Sequence, residues 1–208
     1  MNKKIIGAII ALIIIVIAGY TFFYAPYQDN VLSEKYNASL QNASNIEKNI
    51  VTATEKFNNQ NSTDVDVLIN TINNEVTPKY SEEIAVLNET VNYANNNQTK
   101  INYINNQTKR LELESKSLNA TVTMLNAISQ YVKGEKSGED AQSSINRANI
   151  EMEDSAKELE NINENIKQLL KDNPDLNQTL HGLNLEKPFY GEQRTLQTPN
   201  VANNTTSV

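Results

Sequence analysis

The chain has 208 residues, with 18 Lys or Arg, 25 Asp or Glu and a formal net charge of -7. It contains one His and no Cys or Trp, which excludes disulfides, iron–sulfur clusters, thiol nucleophiles and thiolate zinc sites. Six Gly leave little room for phosphate-binding loops, and the acidic balance argues against a nucleic-acid partner, so we predict no enzyme, cofactor or metal site.

The first predicted element is a membrane-spanning signal anchor over residues 5–25. Ile5 to Tyr24 is a run of about 20 positions without a charge, and a helix of that length covers roughly 30 Å, the thickness of the bilayer core. Lys3 and Lys4 precede it, which places residues 1–4 in the cytoplasm and the rest of the chain outside. The lipid bilayer is therefore the first expected partner, and the chain is expected at the cell membrane.

A cleaved signal peptide is the alternative interpretation of this segment. A basic start, an apolar stretch and a small residue at Ala18 before Gly19 satisfy the requirements of a signal peptidase. The apolar character nevertheless continues past this position to Tyr24. Both interpretations export the remaining chain, so an extracytoplasmic location is expected in either case.

Residues 27–172 are predicted to form an extracytoplasmic helical domain. Its first helix covers 30–59, because apolar residues recur there at steps of three and four along one face. These residues are Leu32, Tyr36, Leu40, Ala43, Ile46, Ile50, Ala53 and Phe57.

The second predicted helix covers 63–95, with Ser62 or Thr63 as its N-cap. Pro78 is expected to interrupt or restart it, and the run of Asn at 95–97 is expected to end it, because Asn is a poor helix former.

Two further helices are predicted over 100–133 and 139–172. The turn at 134–138 separates them, and Ser137 with Asp140 has the spacing of a capping box. The last helix has the most regular apolar seam in the chain, formed by Ala141, Ile145, Ala148, Met152, Ala156, Leu159, Ile162, Ile166 and Leu169. Residues 173–208 contain three Pro and no sustained period, and are predicted to be a mostly unstructured tail.

The fold class is therefore all-α: a transmembrane helix, a helical domain and a disordered tail. Four segments of similar length joined by short polar breaks predict an antiparallel helical bundle. The alternative is one unbroken helix over 78–133, which would form a long coiled-coil-like hairpin with its neighbours and offer its seams for self-association.

Acidic clusters are the remaining candidates for chemistry. Three groups of acids lie close together in the sequence, and each has polar or Lys neighbours on its helix: Glu82 with Glu83, Glu151 with Glu153 and Asp154, and Glu158 with Glu160. We interpret them as solvated faces rather than as cation sites or acid–base pairs.

Candidate N-glycosylation sites are numerous, because 33 residues of the chain are Asn. Ten Asn stand in the Asn-X-Ser/Thr pattern that a glycosyltransferase requires, and none of them lies on a predicted seam. The best candidates lie near predicted breaks: Asn61, Asn97 and Asn177; the others are Asn37, Asn42, Asn88, Asn106, Asn119, Asn203 and Asn204.

The expected function is that of a single-pass surface protein without enzymatic activity, serving as a scaffold, spacer or protein-interaction module. The expected partners are the bilayer through Ile5 to Tyr24 and a protein, or a second copy of the chain, through the helical seams. The alternative is a sensory or ligand-binding ectodomain, which would have to signal through a membrane partner because only residues 1–4 lie in the cytoplasm.

Overall fold

A computed structural model describes residues 25–60, 62 and 64–182. This part of the chain is helical, with no strand. The helices are α1 (Ala25–Asn59), α2 (Val65–Thr71), a π-helical segment (Ile72–Val76), α3 (Thr77–Thr90), a 3-10 turn (Val91–Tyr93), α4 (Gln98–Val132), α5 (Gly138–Asp172) and α6 (Pro174–Gly182).

The predicted membrane span, 5–24, lies outside the described residues. None of the helices between Ala25 and Gly182 combines the length and the apolar character that crossing a bilayer requires.

The helices pack as an antiparallel bundle, as the sequence predicts. α1 packs against the π-helical segment and α3, α4 packs against α2 and α3, and α5 packs along α4. One apolar core runs through the bundle and includes side chains from α1 to α6. The prediction of an antiparallel bundle over this region is therefore confirmed.

The apolar stripe of α1 is the clearest case of agreement between pattern and packing. Seven of its eight predicted members, Tyr36 to Phe57, are buried, and Leu32 is half-buried. A 35-residue helix is about 52 Å long, so this stripe lines the whole height of the bundle.

The second helical segment runs without a full break from α2 through the π-helical turn into α3. Asp64, rather than Ser62 or Thr63, is its N-cap, because the Asp64 carboxylate accepts from the amides of Asp66 and Val67. Pro78 lies at the start of α3 and has no amide hydrogen, so the normal ladder cannot continue across it. The π-helical segment directly before Pro78 connects α2 to α3, so the interruption predicted at Pro78 is a change of helix type rather than a loop.

The turn at 94–97 decides between the two predicted architectures. Asn95 and Asn96 adopt left-handed backbone conformations, with φ of 51° and 56°. Asn tolerates this region better than most residues, and two such residues in succession reverse the chain. An unbroken helix over 78–133 is therefore wrong.

α4 has two buried faces, of which the sequence pattern predicted one. Ile104, Leu111, Leu118 and Leu125 join the main core. Three more residues of α4, at seven-residue intervals, are also buried: Leu113, Ala120 and Ala127. They lie on a second face of α4, and α5 packs along this helix.

On α5 the buried residues are Ala141, Ala148, Ser155, Ile166 and Leu170. Ala156, which the pattern placed on the seam, is exposed, and its neighbour Ser155 is buried instead. Small residues at seven-residue spacing on both helices let α4 and α5 approach closely.

The prediction of an unstructured tail from 173 onward is wrong for its first part. Pro174–Gly182 forms α6, which buries Leu176 and Leu180 against the main core. Pro174 lies at the first helical position, where a missing amide hydrogen has no cost. Residues 183–208 lie outside the described part of the chain.

Side-chain hydrogen bonds connect the helix ends at both ends of the bundle. At the proximal end, where α1 begins, the Asn95 amide donates to Asp29 at 2.8 Å and Thr99 donates to Asn173 at 3.3 Å. At the distal end, where α1 finishes, Asp66 accepts from Ser129 at 2.8 Å and Lys133 at 2.7 Å. These contacts bring the helix ends together at each end.

Candidate functional site

One layer of the bundle core is charged. Glu47 from α1 and Glu83 from α3 are 0% exposed, and Arg110 from α4 is 1% exposed. Glu114, one turn after Arg110, has a side chain 13% exposed. Charged side chains are almost never fully buried unless they are paired, so this layer is the most unusual feature of the described core.

Arg110 is the centre of the layer. Its guanidinium donates to Glu47 at 2.9 Å, to Glu114 at 2.7 Å and to the side-chain oxygen of Gln107 at 2.9 Å. Gln107 donates in turn to the hydroxyl of Tyr103 at 3.2 Å. Planar guanidinium groups suit such multidentate contacts, and ionised partners make these hydrogen bonds strong.

The helical period explains why these residues lie inside. Glu83 lies three residues after Tyr80 and four before Leu87, and both of these are core residues. The interpretation of Glu82 and Glu83 as one solvated face is therefore wrong for Glu83. Glu82 is exposed, because adjacent residues on a helix point about 100° apart.

Burial dominates the electrostatics of Glu83. Loss of hydration raises the pKa of its carboxyl from 4.5 to about 8; Arg110 opposes this shift and Glu114 adds to it. The pKa of the Tyr80 hydroxyl is also raised well above its usual value, again chiefly by burial. The distinguishing property of this layer is therefore the burial of its charged groups.

Between Ala25 and Gly182, apart from the two gaps near 62, no group of three or more His, Cys, Asp or Glu is arranged to hold a metal ion. Acids of α5 make surface ion pairs, such as Glu153 with Lys157 at 2.8 Å. Pairs of this kind are exposed and contribute little to stability.

A polar cleft lies at the proximal end, between the start of α4 and the end of α5. It has a volume of about 440 Å³, and its lining includes Thr99, Asn102, Asn105, Asn165, Gln168 and Asp172. A second cleft of about 310 Å³ shares Thr99 and Asp172 and extends to α6. The lining of the first cleft is mostly side-chain amides, which both donate and accept hydrogen bonds, whereas the second also includes the charged residues Lys100 and Asp175.

The structure shows how the Asn-X-Ser/Thr sites are placed in the helices. Side chains two residues apart on a helix point in directions about 200° apart. When the Asn of such a site faces the solvent, its Ser or Thr therefore faces the core. Ser44, Thr90, Thr108 and Thr121 are the hydroxyl residues of four such sites, and all are buried. The corresponding Asn42, Asn88 and Asn119 are exposed, whereas Asn106, like Asn37 and Asn177, is half-buried; Asn61, Asn203 and Asn204 lie outside the described residues.

Asn97 differs from the other described sites because it lies in the turn before α4. It is exposed, its backbone is extended at φ -72° and ψ 104°, and Thr99 is half-buried rather than buried. The Asn97 side-chain oxygen caps α4 by accepting from the amide of Lys100, which leaves its nitrogen as the atom to carry a glycan. Of the described candidates, Asn97 has the geometry best suited to glycosylation, which stays a prediction.

Comparison with known proteins gives no family for this chain. Protein-family models, curated proteins and solved structures contain no match to it.

Proposed function

We propose that this chain is a single-pass membrane protein whose helical bundle stands outside the cytoplasm as a non-enzymatic scaffold or protein-interaction module. The observation that carries the proposal is the uncharged apolar run Ile5 to Tyr24, which is long enough to span a bilayer and precedes α1 of the bundle in the chain. Because Ala25 is already helical and the apolar run ends at Tyr24, an anchor formed by that run would hold the bundle near the bilayer surface. Its distal end would then stand about 50 Å away.

The surface for a protein partner in this proposal is the distal face, defined by Val67, Tyr131 and Val132. Their exposed fractions are 44%, 56% and 75%, the largest among big apolar side chains of the described residues apart from Ile150. The α1 seam is already buried within the chain's own core, so a partner would meet the distal face rather than that seam. Apolar residues exposed together commonly mark interaction surfaces.

Single-cysteine variants test the anchor and its orientation, because the chain has no Cys of its own. We expect a membrane-impermeant maleimide to label Gln142→Cys on intact cells, since Gln142 is exposed on α5. Asn2→Cys is the matched control and should react only after the cells are permeabilised. Release of the protein by alkaline carbonate with an N-terminus near Gly19, or labelling of Asn2→Cys on intact cells, would contradict the proposal.

Site-specific photocrosslinking in membranes tests the distal face. A photoreactive residue at Val132 is expected to form a covalent adduct with a protein or with a second copy of the chain. The control carries the same residue at Glu160, which is exposed on the proximal half of α5. Equal adducts at both positions, or none at Val132, would contradict a role for the distal face.

The proximal cleft favours a second candidate function, a ligand-binding ectodomain. Its amide lining would bind a polar metabolite by hydrogen bonds. Saturable binding of a small polar molecule, with a rise in melting temperature that Asn105→Ala abolishes, would support this function. The scaffold proposal expects no such shift.

A further inference from the structure

Glu83 stands out in the charged layer because its carboxyl lacks a hydrogen-bond partner. Neither of its side-chain oxygens makes a hydrogen bond within the described residues, and the residue is 0% exposed. Buried polar groups in folded proteins nearly always have such a partner. An ionised carboxylate in this position would lack both water and a hydrogen-bond donor.

The charges around Glu83 come from three helices. Glu47 faces the layer from α1, Tyr80 lies one turn away on α3, and Arg110 and Glu114 face it from α4. Arg110 is the one cation of this layer, and it already hydrogen-bonds to Glu47 and Glu114. An ionised Glu83 would be a third carboxylate for a single guanidinium.

We propose that Glu83 holds a proton inside the folded bundle at neutral pH, and that release of this proton loosens the packing of α3 between α1 and α4. A protonated carboxyl removes the third negative charge from the layer and leaves the pairs of Arg110 intact. Ionisation places like charges on α3 and α4, in a region where water cannot screen them. The packing of α3 in the core therefore depends on the protonation state of Glu83.

The direction of the pH dependence follows from the raised pKa of Glu83. Between its ordinary value of 4.5 and the folded value of about 8, the folded state binds more protons than the unfolded state. The stability that Glu83 contributes is complete below the lower value and is lost as the pH rises through the upper one. In this window, Glu83 alone would raise the unfolding equilibrium constant by up to about tenfold per pH unit.

Carbon-13 NMR of the side-chain carboxyls tests whether the proton is present. In the full chain in detergent micelles, we expect one Glu resonance to titrate near pH 8 and to disappear in Glu83→Gln. Glu82→Gln is the matched control, because Glu82 is the exposed neighbour and its loss should leave that resonance in place. The proposal is overturned if every Glu resonance titrates in the ordinary carboxyl range. The titration of the unsubstituted protein decides this point even if Glu83→Gln fails to fold.

Amide hydrogen exchange tests the loosening of α3. Exchange of the Tyr80 to Thr90 amides, relative to that of α5 amides in the same sample, should accelerate as the pH rises from about 6 to 9. The relative rate should stay constant in Glu83→Gln, whose neutral amide resembles the protonated carboxyl in shape. If the relative exchange rate changes with pH in the same way in the unsubstituted protein and in Glu83→Gln, the proposed loosening of α3 is overturned.

Discussion

Replacing Arg110 by Met is expected to lower the free energy of unfolding by about 3–5 kcal/mol at neutral pH. Arg110 is buried and donates to both Glu47 and Glu114. Met fills much of the space of the Arg stem, so the main loss is that of the charge rather than of volume. Urea unfolding of the full chain in a mild detergent, followed by circular dichroism, measures the change.

Arg110→Met leaves the carboxylates of Glu47 and Glu114 without the guanidinium that they share, and these unpaired buried charges are the reason for the expected cost. Lys109→Met is the matched control, because Lys109 makes one exposed pair with Glu112 at 3.8 Å. That control should change stability by less than about 0.5 kcal/mol.

A second substitution separates an unpaired charge from a simple loss of packing. Glu47→Gln, introduced into Arg110→Met, removes one of the two carboxylates that had bonded to the guanidinium. The double variant should therefore recover part of the lost stability. A cost for Arg110→Met below about 1 kcal/mol, or no recovery in the double variant, would contradict the charged layer described above.

The long helical segments could be predicted from the sequence because most of their apolar residues follow the helical period. The α1 stripe from Tyr36 to Phe57 is buried as predicted, and α5 ends at Asp172, where the approach to Pro174 predicts an end. The Asn run at 95–97 predicted a reversal, but so few residues could equally have been absorbed in one long helix. The left-handed conformations of Asn95 and Asn96 show that the chain does reverse here, and the Asn95 side chain bonds to Asp29 of α1.

The charged layer could not be predicted from residue type, because charged side chains are almost never fully buried. Glu47, Glu83 and Arg110 occupy core positions that their own helical periods mark as internal. The available signal was position: Glu83 follows Tyr80 by three residues and precedes Leu87 by four. The pairing of buried charges across the bundle depends on how the helices are arranged. The apolar pattern of one helix carries no information about that arrangement.

The short helix α6 was missed for a different reason. Leu176 and Leu180 are four residues apart and Pro174 suits the first helical turn, so a weak signal was present. Nine residues are too few to form a stable isolated helix. Burial of Leu176 and Leu180 against the core provides the additional stabilisation that α6 needs.

Replacing Ala148 by Leu is expected to destabilise the bundle by about 1–3 kcal/mol, because it overfills the contact between α4 and α5. Ala148 is 1% exposed, and buried Ala120 and Ala127 lie at seven-residue spacing on α4. Contacts along this interface, such as Thr121 with Met152 at 3.5 Å, require the two helices to stay close. A larger side chain must either adopt a strained rotamer or push α5 away, and both reduce this packing.

The neighbouring position provides a control with the opposite expected sign. Asn149 is exposed, and Leu is a better helix former than Asn, so Asn149→Leu should be neutral or stabilise by a few tenths of a kcal/mol. Urea unfolding in the same detergent compares the two variants directly. If Ala148→Leu were as stable as Asn149→Leu, the α4 and α5 backbones would have to be farther apart than the buried small residues require. That result would contradict the close packing of α4 against α5.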